Sequence, residues 1–224
     1  SGFIMAISKL NFNSLNVTPT ASKGIGFDSG ADDLEASFSG GSMVFIKKLT
    51  ASSSATLSFV DGSDGVVLDD TYKEYVFTFK NIHPATDNSH FTFNASKDDS
   101  SHNYDVTKTT TQFRSLNAEA DNDTNLQYFP GHDLAQSTAF QTLISEIGNG
   151  NDETASGTMS LFNPSSTTFV KNYMSRLNSY ASFDYSIEQY SAGYGNTTSA
   201  IDAVQFKMST GDIDAGTITL YGIN

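Results

Sequence analysis

Tyr72-Lys73-Glu74-Tyr75-Val76-Phe77-Thr78-Phe79-Lys80-Asn81-Ile82-His83-Pro84-Ala85-Thr86-Asp87-Asn88-Ser89-His90-Phe91-Thr92-Phe93 is the stretch whose reading decides the fold. Tyr75, Phe77 and Phe79 recur at every second position, and a pleated strand sends alternate side chains to one face, so three rings point the same way. Val76 and Thr78 are β-branched and occupy the other face. Asn81–Asn88 holds Pro84 in a polar cluster and is expected to leave the ladder, because proline has no N–H to donate. Phe91 and Phe93 then restart the alternation. Two strands with aromatic faces and a polar connection read as neighbours, a hairpin covering one core.

Outward from this stretch the same texture continues. Ile7–Val17 alternates, with a slip, through Leu10, Phe12, Leu15 and Val17 and reads as an edge or opening strand before Thr18-Pro19, and Phe27–Asp33 is a turn-rich acidic segment. Leu34–Phe38 leads through Gly40-Gly41 into Met43-Val44-Phe45-Ile46, a continuous apolar run expected to be covered on both sides. Leu57–Val60 is a strand closed by Asp61-Gly62-Ser63-Asp64-Gly65, whose glycines supply positive φ. Lys97–Asn103 is polar, Tyr104–Phe113 suits an exposed strand, and Asn117–Asn125 is an acidic loop. In Ala135–Ile147, Phe140, Leu143, Ile144 and Ile147 fit helical spacing, yet Phe140, Thr142 and Ile144 also share one face of a strand. Gly157–Phe162, Thr167–Tyr173 and Ala181–Ile187 are strand-like. Ala203–Met208 and Gly216–Tyr221 read as a closing pair around Ser209–Asp212. Gly157–Phe162 echoes Gly216–Tyr221, too short a likeness to indicate duplication.

Many short strands without crossover helices imply an all-β chain, two antiparallel sheets packed face to face. At 224 residues with no linker of distinct composition, residues 5–224 are expected to form one domain. Ser1–Ile4 reads as a remnant preceding a natural start at Met5. Without cysteine there is no disulfide framework, thiolate metal site or thiol nucleophile. A formal charge of −13 with no cationic cluster larger than Lys47-Lys48 disfavours nucleic acid and anionic lipid. The apolar run Phe3–Ile7 is too short to span a bilayer, so membrane insertion is not expected.

Candidate chemistry is sparse. Jelly-roll glucanases carry Glu-x-Asp-x-x-Glu on one strand because acid and nucleophile must flank one glycosidic bond. Glu119-Ala120-Asp121 begins that pattern, but Thr124 stands where the second glutamate belongs. Ser29 in a Gly-flanked loop and the scattered His83, His90, His102 and His132 form no local triad or zinc spacing, and His83 before Pro84 reads as a turn residue. No catalytic residues are assigned. Asp61, Ser63 and Asp64, or Asp28, Asp32 and Asp33, offer oxygen ligands of the kind calcium accepts, without EF-hand spacing. The Asn-x-Ser/Thr triplets at Asn16, Asn94, Asn122 and Asn196 are expected by chance. Tyr180–Asn196 is the stretch that looks like a recognition surface: Tyr180, Tyr185, Tyr190 and Tyr194 lie among Ser, Gly and Asn, offering flat rings and hydroxyls suited to a sugar. Alternatively, these rings close one end of the core.

Tyr72–Phe93 with its Asn-Ile-His-Pro-Ala-Thr-Asp-Asn turn, Ser156–Thr168 and the ending Ala200–Ile223 together resemble the jelly-roll modules of tailed-bacteriophage virion proteins, particularly tail-fibre and structural proteins of marine podoviruses. The resemblance implies a concanavalin-like lectin/glucanase sandwich and favours a strand at Ala135–Ile147. It further implies a non-enzymatic module on the virion surface, in tail or capsid, that binds host surface polysaccharide and acts as several copies or with other virion proteins. A capsid or tail decoration protein without ligand, and a polysaccharide-degrading enzyme, are the alternatives.

Overall fold

A computed structural model describes residues 24–27 and 34–38 as backbone, and residues 42–97 and 101–224 with their side chains. The chain divides into two units, Ser1–Val44 and Phe45–Asn224. In the first, β1 (Gly24–Phe27) pairs antiparallel with β2 (Leu34–Phe38). The expected strand at Ile7–Val17, the Asp28, Asp32 and Asp33 trio, Ser29, Asn16 and the Ser1–Ile4 remnant all lie outside the described residues.

The other strands are β3 (Met43–Thr50), β4 (Leu57–Val60), β5 (Glu74–Pro84), β6 (Ser89–Lys97), β7 (Lys108–Ala118), β8 (Thr124–Tyr128), β9 (Gln141–Ile147), β10 (Ala155–Phe162), β11 (Lys171–Ala181), β12 (Tyr185–Gly195), β13 (Ile201–Met208) and β14 (Ile213–Ile223). A 3-10 turn at Pro130–His132 is the helical element among the described residues. The twelve strands form one connected, nearly closed antiparallel sheet, barrel-like rather than two separate sheets. One wall runs β3-β14-β5-β10-β11-β12-β7-β8 and the other β9-β6-β13-β4. They join where Ala181 of β11 meets Ile147 of β9.

The aromatic face of β5 is buried as its spacing requires, with Tyr75, Phe77 and Phe79 at 3% exposure or less. Its partner is not β6. β5 lies between β10 and β14, while β6 lies between β9 and β13, so the expected hairpin is a crossing from one wall to the other. Phe79 and Phe91 therefore meet across the core, ring centres 5.2 Å apart, instead of side by side. The supposed closing pair behaves alike, since β13 joins β6 and β4 while β14 joins β5. Alternation tells which face of a strand is buried and is silent about which strand lies beside it. The echoing segments in β10 and β14 turn out to flank β5, with Met159 and Leu220 both registered on Phe77.

Nor does β5 end where the polar residues begin. It carries one extra residue relative to both neighbours around Asn81, whose φ is +51°. Such a bulge shifts the inward parity by one, so Ile82 and Pro84 follow Phe79 into the interior and His83 faces out. Pro84 is tolerated because it ends the strand. Only the segment 85–88 is connection.

Other expectations change for similar reasons. Phe45, in the run expected to be covered on both sides, is 60% exposed because it shares the outward face of β3 with Met43 while Val44 and Ile46 are partly covered, and its ring meets Tyr221 edge-on at 6.1 Å. The supposedly exposed strand near Tyr104–Phe113 is half-buried: Lys108, Thr110, Gln112 and Arg114 of β7 point inward. The acidic loop shrinks to 119–123, since Thr124 and Asn125 open β8, which its polar sequence concealed. Gln141–Ile147 is a strand and is buried on both faces except at Glu146. Ala181–Ile187 is instead the end of β11, a turn at 182–184 and the start of β12.

Two interiors result. Between β5 and the β6-β13-β4 wall, Phe206 contacts the rings of Phe59, Phe77, Phe79, Phe91 and Phe93. Between β9 and β7/β12 the contacts are polar. Gln189 donates to Gln112 (2.8 Å) and accepts from the backbone N–H and hydroxyl of Ser145 (3.2 and 3.0 Å), while Arg114 pairs with Glu146.

Candidate functional site

The four tyrosines do not gather into one site. They lie on a regular hairpin, not a loop. Tyr180 is the penultimate residue of β11 and Tyr185 opens β12 across the turn, whereas Tyr190 and Tyr194 are five and nine residues further along β12. Nine residues of strand span about 30 Å. At the turn, Tyr185 donates to Asp123 Oδ2 (3.1 Å) and packs on Phe183, and Tyr180 donates to Asp184 (3.4 Å). Both phenols are raised, that of Tyr180 to about 12 by desolvation and then by Glu119, that of Tyr185 by its bond to Asp123. Their hydroxyls serve the hairpin itself.

Tyr190 and Tyr194 stand on the outer face. Along β12, Ile187, Gln189 and Ser191 are buried, so Glu188, Tyr190, Ala192 and Tyr194 point away from the interior. Register places Phe113 of β7 and Arg176 of β11 on either side of Tyr190, and Tyr128 of β8 beyond Phe113. The Phe113 and Tyr190 rings stack at 4.6 Å with 7° between their planes, and the Arg176 guanidinium sits 5.4 Å from the centre of the Tyr190 ring. Such a cation above a ring favours the arrangement electrostatically. Glu188 anchors Arg176 by an ion pair of 2.5 Å.

Between Tyr190 and Tyr194, Ala192 leaves a step in the surface. The shallow depression there, about 480 Å³, is walled by Thr109, Thr111, Phe162, Asn172, Met174 and Tyr194. Gly193 beneath it lies so close to β7 that an added Cβ would stand 2.5 Å from the Thr109 carbonyl. Met174 is 61% exposed, Tyr128 60% and Leu126 73%. Exposed apolar side chains contiguous over several strands mark a contact surface more often than scattered ones do. Sequence reading missed Phe113, Tyr128, Met174 and Arg176. Only cross-strand register puts them beside Tyr190, and the odd-numbered outward parity of Thr109, Thr111 and Phe113 was the one local signal.

The remaining candidates resolve differently. Asp61 Oδ1 accepts the Leu68 N–H at 2.8 Å and Asp64 pairs with Lys47, so the carboxylates of Asp61-Gly62-Ser63-Asp64 turn to separate partners. Among the described residues no group of three or more His, Asp or Glu side chains gathers as a metal shell. Glu119 and Asp121 are exposed in the turn after β7. His83 is no turn residue: it is half-buried on β5, its Nε2 donating to the Gly150 carbonyl at 3.1 Å. His90 and His132 meet edge to face at 5.0 Å, and His90 Nδ1 accepts the Glu146 N–H at 3.0 Å. No helix among the described residues is long and apolar enough to cross a membrane.

No protein-family model matches the chain, and comparisons with curated proteins and with solved structures found no match.

Proposed function

We propose that this chain is a non-enzymatic module that holds host-surface polysaccharide on the outer face of β8-β7-β12-β11, in the manner of the bacteriophage virion proteins its sequence resembles. The observation that carries the reading is the row Phe113–Tyr190–Arg176 beside the Ala192 depression. Rings and aliphatic surface receive the apolar faces of pyranoses, while Arg176, Glu188, Asn172 and the threonines of β7 exchange hydrogen bonds with hydroxyls. In this reading the nearly closed sheet is a lectin-type jelly roll whose two walls are joined at Ala181 and Ile147. A single shallow site binds weakly, so the module acts as several copies on the tail or capsid surface, where tethering raises effective concentration. The acidic chain has no role for nucleic acid.

Phe113→Ala combined with Tyr190→Ala is expected to weaken binding to purified host lipopolysaccharide or capsular polysaccharide about tenfold or more, with the melting temperature nearly unchanged. Wild-type protein that binds none of these glycans, or a double variant that binds as well as wild type, would remove the reading. Release of reducing ends from any of them would make the protein an enzyme. A decoration protein without ligand is the second reading, favoured by the exposed Phe45 on edge strand β3 and Phe169 at 68% exposure. Occupancy of regular lattice positions on the virion, together with no glycan binding, would select it.

A further inference from the structure

Away from the aromatic face, the β5 bulge opens a second recess. Here β14 is irregular at Ala215 and at Gly216, whose φ is +116° and whose added Cβ would lie 2.5 Å from the Asn81 carbonyl. The two strands therefore press together at Gly216 while their outward side chains splay around a cleft of about 800 Å³. That volume lies within the roughly 300–1,000 Å³ common for small-molecule sites. Its charged lining groups are Lys48, Lys80 and Asp214, with His83 beside them.

Those lysines are unusual in a chain of net charge −13. Among the described residues, Lys47, Lys73, Arg114 and Arg176 each face a carboxylate, Lys108 and Lys171 are buried, Lys207 sits over the Phe140 ring, and Lys97 stands exposed at the end of β6, outside the cleft. Lys48 and Lys80 are exposed and enter no ion pair among the described residues, yet both line the same cleft. Asp214 is already engaged: it accepts from the Ser53 hydroxyl at 3.0 Å and lies 3.6 Å from His83 Nδ1. Thr217, Thr219 and Asn151 add hydroxyls and an amide.

We infer that this cleft is a separate site for an acidic saccharide unit, whose carboxylate is received by Lys48 and Lys80 and whose ring hydroxyls meet Asp214 and the neighbouring threonines and asparagines. The Lys48 and Lys80 ammoniums against the Asp214 carboxylate give these three groups one net positive charge, which matches a monoanion. A phosphate dianion would meet the repulsion of Asp214 with no hydroxyls of its own to satisfy the polar wall. The site does not depend on the aromatic face, and either can exist without the other.

Calorimetric titration with trigalacturonate, with neutral maltotriose and inorganic phosphate in parallel, tests it. Trigalacturonate is expected to bind and to bind more weakly at high salt, as exposed charge pairing requires. Lys48→Gln with Lys80→Gln is expected to lower that affinity about tenfold or more at an unchanged melting temperature, while Phe113→Ala with Tyr190→Ala leaves it as it was. The inference is overturned if trigalacturonate does not bind, if maltotriose or phosphate binds as well, or if the lysine variant retains wild-type affinity. Loss of binding in the aromatic variant instead would place the acidic sugar on the other face and overturn it equally.

Discussion

At the scale of single residues, the most unusual environment belongs to Lys108. Its side chain is 2% exposed, its ammonium donating to Asn94 Oδ1 (2.5 Å) and the Val106 carbonyl (2.8 Å). Burial disfavours the charged form and pushes its pKa down to about 7. The folded chain then holds fewer protons than the unfolded one between about pH 7 and the unfolded lysine value near 10.4. Linkage makes stability rise with pH across that window and fall back as pH drops toward 7. The change amounts to as much as a few kcal/mol, since each tenfold difference in proton affinity between the two states is worth about 1.4 kcal/mol. Urea midpoints measured from pH 7 to 9.5 are expected to climb in wild type and to stay flatter in Lys108→Met; parallel curves would show that Lys108 keeps its proton in the fold. In β7 Lys108 shares the inward parity of Thr110 and Gln112, but a run of threonines and a lysine reads locally as exposed. Its burial comes from β6 and β11 closing over it, which no neighbouring residue announces.

Among elements, β9 shows how a strand of mixed character is decided from outside. Ile144 and Ile147 meet the apolar interior, while Ser145 and Thr142 meet glutamines and Arg114 arriving from β7 and β12. Both helix and strand periodicity fitted this segment, and resemblance rather than residue spacing favoured the strand. The same layer holds His90 and His132, whose imidazoles are both pushed down by burial. Arg114 adds to that lowering for each, and the His90 ring adds to it for His132, whereas Glu146 opposes it for both and Asp133 opposes it for His132. Protonating His90 Nδ1 would also end its bond to the Glu146 N–H. A folded pKa below the unfolded value near 6.5 means this contribution is complete above about pH 6.5 and lost as pH falls beneath it. Unfolding curves between about pH 6.5 and 5 are expected to show a shallower acid decline in His90→Gln with His132→Asn than in wild type. An identical decline in both would assign the acid response to other groups.

For the whole molecule, stability depends on two walls that share aromatic side chains rather than on any one hairpin. Phe206, on β13, reaches rings contributed by β4, β5 and β6. Truncating a buried phenylalanine forfeits its transfer energy and leaves a cavity, so Phe206→Ala is expected to cost about 3–5 kcal/mol, read from urea unfolding. A loss below about 1 kcal/mol would mean that the walls do not share one core. Phe113→Ala, on the outer face, is the contrasting case and is expected to cost far less.

The rings spaced by two in Tyr75–Phe79 and Phe91–Phe93 determined by themselves that these segments are strands and that their rings line the interior, because side-chain direction in a strand is a local property of the pleat. The absence of cysteine, the acidity and the lack of a complete carboxylate motif were equally legible, as they need no neighbours. Which strands pair, that two apparent hairpins are wall-to-wall crossings, that Asn81 hides a bulge, and that Phe113 and Arg176 flank Tyr190 were settled only by tertiary structure. Pairing and register arise from competition among many similar alternating strands, and that competition is decided by long-range packing no single segment encodes.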